Sequence, residues 1–222
     1  KIKKLKPLVG KNTTIITCMN GIPHWYFHKL DNKYANYKIK CLDSDLLIDS
    51  ILPPDNIVGS VVYPACEIVK PATIKHIAGN RFSLGEPDGS ESDRLKFISD
   101  ILKKAGFRAP IQKNIRDEIW LKLIGNLSFN PISALTGATL EQICNDRGTE
   151  AIVKEMMTEA KTIAEKLGAK INMSIEKRID GARKVGAHKT SMLQDIEARK
   201  PIEIDSIIVA VRELGDLTNS PT

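Results

Sequence analysis

Residues 119–135, IWLKLIGNLSFNPISAL, decide how the rest of the chain is read. Ile119, Trp120, Leu121, Leu123, Ile124, Leu127 and Phe129 point in nearly every direction around a helix, and a helix apolar on all sides belongs in a protein interior. The same stretch carries Lys122, Asn126 and Asn130 at four-residue intervals. At ~100° per residue each step of four drifts by only ~40°, so the three form one polar stripe along an apolar rod. A buried ammonium costs free energy unless something binds or neutralises it. The stripe therefore reads either as half of a structural ion pair or as the wall of a site. Asn130-Pro131 disfavours helical geometry at Asn130, which predicts that the helix ends or kinks there.

Upstream of this rod the rhythm is mixed. Ile2, Leu5, Leu8 and Val9 repeat at helical spacing, with Lys1, Lys3, Lys4 and Lys6 on the outer face and Gly10 as a stop. Thr13–Cys18 is a β-branched run that ends at Asn20-Gly21. A helix and then a strand leading into a small loop is the pattern of a doubly wound α/β sheet, where ligands bind outside the strand ends. On local grounds alone, a plain tight turn is the favoured reading of Asn20-Gly21. A short helix is expected from Ser44, as N-cap, to Leu52. Residues 57–63, 73–77 and 81–84 read as strands between Pro64, Pro71 and Gly79-Asn80. Ser90 or Ser92 caps a helix to Ala105, with Leu95, Ile98, Ile101 and Leu102 on its inner side. The domain boundary is placed after Lys113.

From residue 114 onward only helices are expected. Glu150–Leu167 carries an apolar face, on which Met156 and Met157 fill core space rather than bind metal. Ser174 opens another helix, with Ile175, Ile179, Ala182 and Val185 as its stripe and Lys177, Arg178, Arg183 and Lys184 as a solvated face. Ser191-Met192-Leu193-Gln194 fits a capping box, the favoured local reading of Ser191. Ile202–Leu214 is a second largely apolar helix, interrupted by Glu203, Asp205 and Ser206. Lys122 and Glu203 can pair in the core or flank a cleft.

Composition sets wider bounds. The 222 residues are 42% hydrophobic and carry a formal charge of +6, which suits a globular chain with an anionic partner. No apolar run approaches the ~18 residues of a membrane span, and no signal peptide opens the chain. Cys18, Cys41, Cys66 and Cys144 lack metal-finger spacing and fit reduced thiols in a cytoplasm. The lysines near the start read as a solvated face rather than as a nucleic-acid contact.

Trp120-x-Lys122-Leu123-x-x-Asn126-x-x-x-Asn130-Pro131, followed by Ser191-Met192-Leu193-Gln194-Asp195 and Glu203-Ile204-Asp205, closely resembles the ketopantoate reductase (2-dehydropantoate 2-reductase) family. Asn20-Gly21, Gly59 and Ala65 match that family's first domain. The resemblance implies the C-terminal part of an NADP-binding Rossmann domain over residues 1–113 and a helical substrate domain over 114–222, with the earlier part of the Rossmann domain preceding Lys1. It implies reduction of 2-dehydropantoate to pantoate by NADPH, on the way to pantothenate and coenzyme A. Lys122 then corresponds to the catalytic acid, Asn126, Asn130 and Ser191 to substrate binders, and Asn20, Ala65 and Glu203 to cofactor-facing residues. No metal is implied; the partners are a 2-oxo acid and at most a second copy of the chain, not nucleic acid or membrane.

The residue types suit that chemistry. Negative charge builds on the ketone oxygen during hydride transfer, and a lysine ammonium can stabilise it and deliver the proton. Amides and a hydroxyl hold the substrate without adding charge. The chain departs from the family at four points, one of them the bulky, aromatic continuation of the Asn20-Gly21 loop through Trp25 and Tyr26. It has no G-x-G-x-x-G, His188 stands three residues before Ser191 where asparagine is common, and Ile208-Val209 replaces an Asn-Gly. A reductase of another branched 2-oxo acid and a non-enzymatic basic helical module are the competing readings.

Overall fold

The β-branched run near the start pairs as expected, over a shorter length. In the computed structural model, which describes residues 2–222, strand β1 covers Ile15–Thr17. Two short helices follow, α1 (Lys40–Asp43) and α2 (Leu47–Ile51). Strands β2 (Ile57–Val62), β3 (Ala65–Lys70), β4 (Thr73–Ala78) and β5 (Phe82–Gly85) come next, then helix α3 (Asp93–Lys104). The remainder is helical: α4 (Ile115–Thr136), α5 (Leu140–Asn145), α6 (Arg147–Lys166), α7 (Ile175–Val185), α8 (Ser191–Glu197) and α9 (Ala210–Thr218). An α/β part followed by an all-α part is the expected class. The chain forms two compact units, one of residues up to 19, 24–38 and 43–118, the other of 20–23, 39–42 and 119–222.

In the first unit β2 is the centre of a three-stranded sheet, parallel to β1 (Ile15 opposite Ile57) and antiparallel to β5 (Val62 opposite Phe82). Its core is Val58, Leu84, Leu95 and Ala109, with Ile98 and Leu102 of α3 packed against it. The Ser92 hydroxyl caps α3 by accepting from the Leu95 N–H at 3.2 Å. Ile101, expected on the inner side, is 47% exposed. Trp25 is fully buried and donates from its indole N–H to Thr17 Oγ1 at 3.2 Å. A Cβ at Gly59 would lie 2.6 Å from that ring, so the glycine admits the tryptophan. The buried Arg116 guanidinium donates to the carbonyls of Tyr26, His28 and Pro87 at 2.6–2.7 Å, knitting the aromatic loop to the sheet's far end.

Several local expectations fail here for physical reasons. Residues Ile2–Leu8 do form a helix, but a 3-10 helix with no buried residue, because Pro7 interrupts the α-helical ladder; the Lys1 part of that expectation lies outside the described residues. Ser44 caps nothing at α2. Asp43 does so instead, accepting from the N–H groups of Ile48 (2.8 Å) and Asp49 (2.9 Å). Residues 65–70, bracketed by prolines, were not expected to form a strand, yet β3 pairs with β4 as a separate ribbon.

The second unit is built on α4. This helix runs through Pro131 without ending at Asn130. The burial of Leu127, Phe129 and Asn130 outweighs the local preference for an extended residue before proline. Helix α5, which had no counterpart in the sequence reading, has a capping box between Thr139 and Gln142. Helix α6 buries Val153, Met157, Ala160, Ile163 and Ala164, and Ser174 caps α7. Thr190, not Ser191, caps α8, its hydroxyl accepting from the Leu193 N–H at 3.3 Å. The helix ending in α9 begins only after Glu203 and opens with a π turn over Asp205–Val209. Two short segments dock on it: the Ile22 N–H donates to the Ser206 carbonyl (2.8 Å), and the N–H groups of Lys40 and Cys41 donate to the Glu213 carboxylate (2.7 and 3.0 Å).

Candidate active site

Lys122 sits half-buried on α4 among Trp120, Leu123 and Ile124, each no more than 2% exposed. Burial pushes its ammonium pKa down, and the carboxylate of Glu203 pulls it back up. Lys122 Nζ donates to Asn20 Oδ1 at 2.7 Å, and Asn20 Nδ2 donates to Glu203 Oε2 at 2.8 Å. The amide is oriented by its partners, since an ammonium can only donate and a carboxylate can only accept. Asn20 thus links the lysine to the acid. Glu203, expected within a buried helix, is instead exposed and directly precedes that helix.

The backbone places Asn20 by close packing. Gly21 adopts φ +83°, and a Cβ there would lie 2.6 Å from both the carbonyl carbon and the hydroxyl of Ser206. Only glycine allows both the left-handed conformation and the approach. The Asn20-Gly21 turn is therefore seated on the π turn of the helical unit, in one register with Glu203.

Asn126 and Asn130 continue the stripe away from Lys122 and line an open cavity of about 530 Å³. Ser191 and His188 line it as well, with Phe129 and Leu140 among its apolar walls. Ser191 is free for this because Thr190 has taken the capping role. The structure thus brings together Lys122, Asn20 and Glu203 in one group and Asn126, Asn130 and Ser191 in another, the two joined by one face of α4. Ala65 lies exposed on β3 in the first unit. Among the described residues, no cluster of three or more His, Cys, Asp or Glu could hold a metal ion.

Arg178 also lines the cavity and is half-buried, which corrects its assignment to a solvated face, while Lys177 lines the rim and is exposed as expected. A Cβ on Gly125 would overlap the Arg178 guanidinium, lying 3.0 Å from Cζ. The signal in the sequence was that glycine, set in the middle of an otherwise side-chain-rich helix.

Residues 114–222 match the family described as ketopantoate reductase PanE/ApbA C terminal. The whole chain is 47% identical to a 2-dehydropantoate 2-reductase of Mesorhizobium japonicum, spanning 68% of that protein. The chain belongs to the ketopantoate reductase family. A crystal structure of a protein described as a ketopantoate reductase from Ralstonia solanacearum superposes with a TM-score of 0.95 at 38% identity, over all of this chain and 67% of that one. D-Mandelate dehydrogenase, solved with NADH and anilino(oxo)acetate, shares the fold at a TM-score of 0.80 and 19% identity, over 100% of this chain and 67% of that one. Ketopantoate reductases are oxidoreductases, and no helix among the described residues is long and apolar enough to cross a membrane.

Proposed function

We propose that this chain carries the catalytic lysine and the substrate cavity of an NADPH-dependent 2-dehydropantoate 2-reductase. The observation that carries the reading is the Lys122–Asn20–Glu203 chain of hydrogen bonds at one end of a polar stripe whose other end, Asn126 and Asn130, opens into a cavity. Residues 114–222 act as the substrate domain and residues 1–113 as part of the cofactor domain.

Lys122 is the acid. Negative charge growing on the ketone oxygen is stabilised by its ammonium, which then gives up a proton to leave the hydroxyl of the product. Asn20 holds the ammonium in place, and Glu203 holds the amide. Burial that lowers the lysine pKa makes the proton easier to give, while Glu203 keeps enough of the ammonium form in place. Asn126, Asn130 and Ser191 supply neutral donors and acceptors for the substrate. The donor set at Asn20 and Glu203, an amide with both polarities beside a carboxylate, suits the carboxamide and ribose hydroxyls of a nicotinamide nucleoside. When bound, a reduced nicotinamide supplies the hydride.

The test is steady-state turnover of the intact protein with 2-dehydropantoate and a panel of other branched 2-oxo acids, each with NADPH and with NADH. The expected result is the highest kcat/KM for 2-dehydropantoate with NADPH. A higher value for another 2-oxo acid would reassign the substrate, and no turnover of any 2-oxo acid would overturn the reading.

A further inference from the structure

The cavity beside Asn126 carries a charge that the polar stripe does not explain. None of its lining residues is acidic, while Lys177 and Arg178 both face it from the first turn of α7. Arg178 is half-buried, and its guanidinium lies against α4 at the place where a side chain on residue 125 would be. The neighbouring residue on α4 is Asn126. The glycine is thus what lets a planar cation reach the wall of the cavity, at a position next to an amide of the stripe.

We propose that Arg178 is a specificity-determining residue of this reductase, receiving the carboxylate of the 2-oxo acid in its guanidinium. The inference rests on the functional reading above and deepens it. A guanidinium offers two parallel N–H groups in a fixed fork that matches a carboxylate, which neutral amides cannot do. Lys177, exposed at the rim, adds a second positive charge that favours entry of an anion. Phe129 and Leu140 leave apolar wall for the branched end of the substrate. The carboxylate is then fixed at one end of the cavity and the ketone is directed along the stripe towards Lys122.

The test compares a 2-oxo acid with its own methyl ester, which keeps the ketone and removes the charge. In the intact protein, kcat and KM for 2-dehydropantoate and for its methyl ester are measured in the wild type, Arg178→Met and Arg178→Lys. Loss of a charge-assisted hydrogen bond is expected to raise KM for the acid about 10- to 100-fold in Arg178→Met and to collapse the acid-over-ester preference. Arg178→Lys should restore part of that preference, because charge remains but the fork is lost. A preference that stays unchanged in both variants would overturn the proposal, as would an equal loss on acid and ester. Thermal melting of each variant separates loss of fold from loss of recognition. If the wild type turns over neither compound, the functional reading fails, and calorimetric binding of pantoate decides the anion site by itself. Weaker binding in Arg178→Met supports the proposal, and equal binding in all three proteins overturns it.

Discussion

Replacing Asn20 tests whether the amide, rather than the lysine alone, sets up the proton donor. In Asn20→Ala both hydrogen bonds vanish, the 2.7 Å bond from Lys122 and the 2.8 Å bond to Glu203. The exposed carboxylate is simply rehydrated, so the consequence falls on the half-buried ammonium. A hydrogen bond to a charged group contributes roughly 1.5–3 kcal/mol. If that interaction is what holds Nζ at the reacting oxygen, kcat falls by about 10- to 100-fold. The pH dependence gives a sharper sign. Removing an acceptor that favours the charged form lowers the Lys122 pKa further, so the alkaline fall of kcat moves to lower pH. Asn20→Asp does the opposite, because a carboxylate beside the ammonium raises its pKa and moves that fall to higher pH. The assay is kcat against pH for the wild type and both variants, at saturating substrate and cofactor. Displacement of both variants in one direction, or of neither, would refute the link from Asn20 to Lys122.

Other residues make separate predictions. Lys122→Met should reduce kcat at least 100-fold while a fluorescence titration shows cofactor affinity changed by less than a few-fold. The same variant should flatten the alkaline rise in stability. The folded-state pKa of Lys122 lies below its unfolded value, so the unfolded chain binds more protons between the two and wild-type stability rises with pH across that window. Asn126→Ala should act mainly on substrate KM, since a neutral amide positions but gives up no proton; steady-state kinetics decide it. Gly59→Ala, whose new methyl would meet the Trp25 ring at 2.6 Å, should cost about 1–3 kcal/mol in a denaturant melt with no specific effect on KM.

The part of the site written into one helix was legible from spacing. Lys122, Asn126 and Asn130 share a face because four residues nearly complete a turn, whatever the rest of the chain does. Asn20 carries no such signal. It comes to Lys122 from 102 positions away; the strand-end loop marks it only as a place where ligands bind, and the family resemblance alone gives it a role. Arg178 was hidden by the opposite problem, since a cation on the polar side of an amphipathic helix looks the same in sequence whether it faces solvent or a cavity. The Thr190-Ser191 pair shows how local chemistry can be ambiguous by one residue. Thr190 precedes α8 and Ser191 is its first residue, and Thr190 caps because its backbone is extended (φ −64°, ψ 159°). Pro131 and the exposed β3 ribbon mark the remaining gap, where burial or pairing with a distant segment overrode a local preference.

The π turn over Asp205–Val209 has a consequence for how this site can be edited. A π turn holds one residue more than the α-helical turn it replaces, seen here in the Ala210 N–H reaching back five residues to the Asp205 carbonyl. Deleting one codon within 206–208 would let the turn relax to α-helical spacing while leaving α9 in phase with its neighbours. Because the lost residue is the extra one, the segment upstream keeps its facing about the helix axis, whereas the same deletion one turn later, within 211–212, would swing everything upstream by about 100° and shift it by roughly 1.5 Å. That second deletion would take Glu203 from Asn20 and the Ser206 carbonyl from Ile22, with every residue of the site still present. The acid's place in the site is thus a matter of helical phase, and a frame-preserving deletion can remove it without changing any of the named side chains.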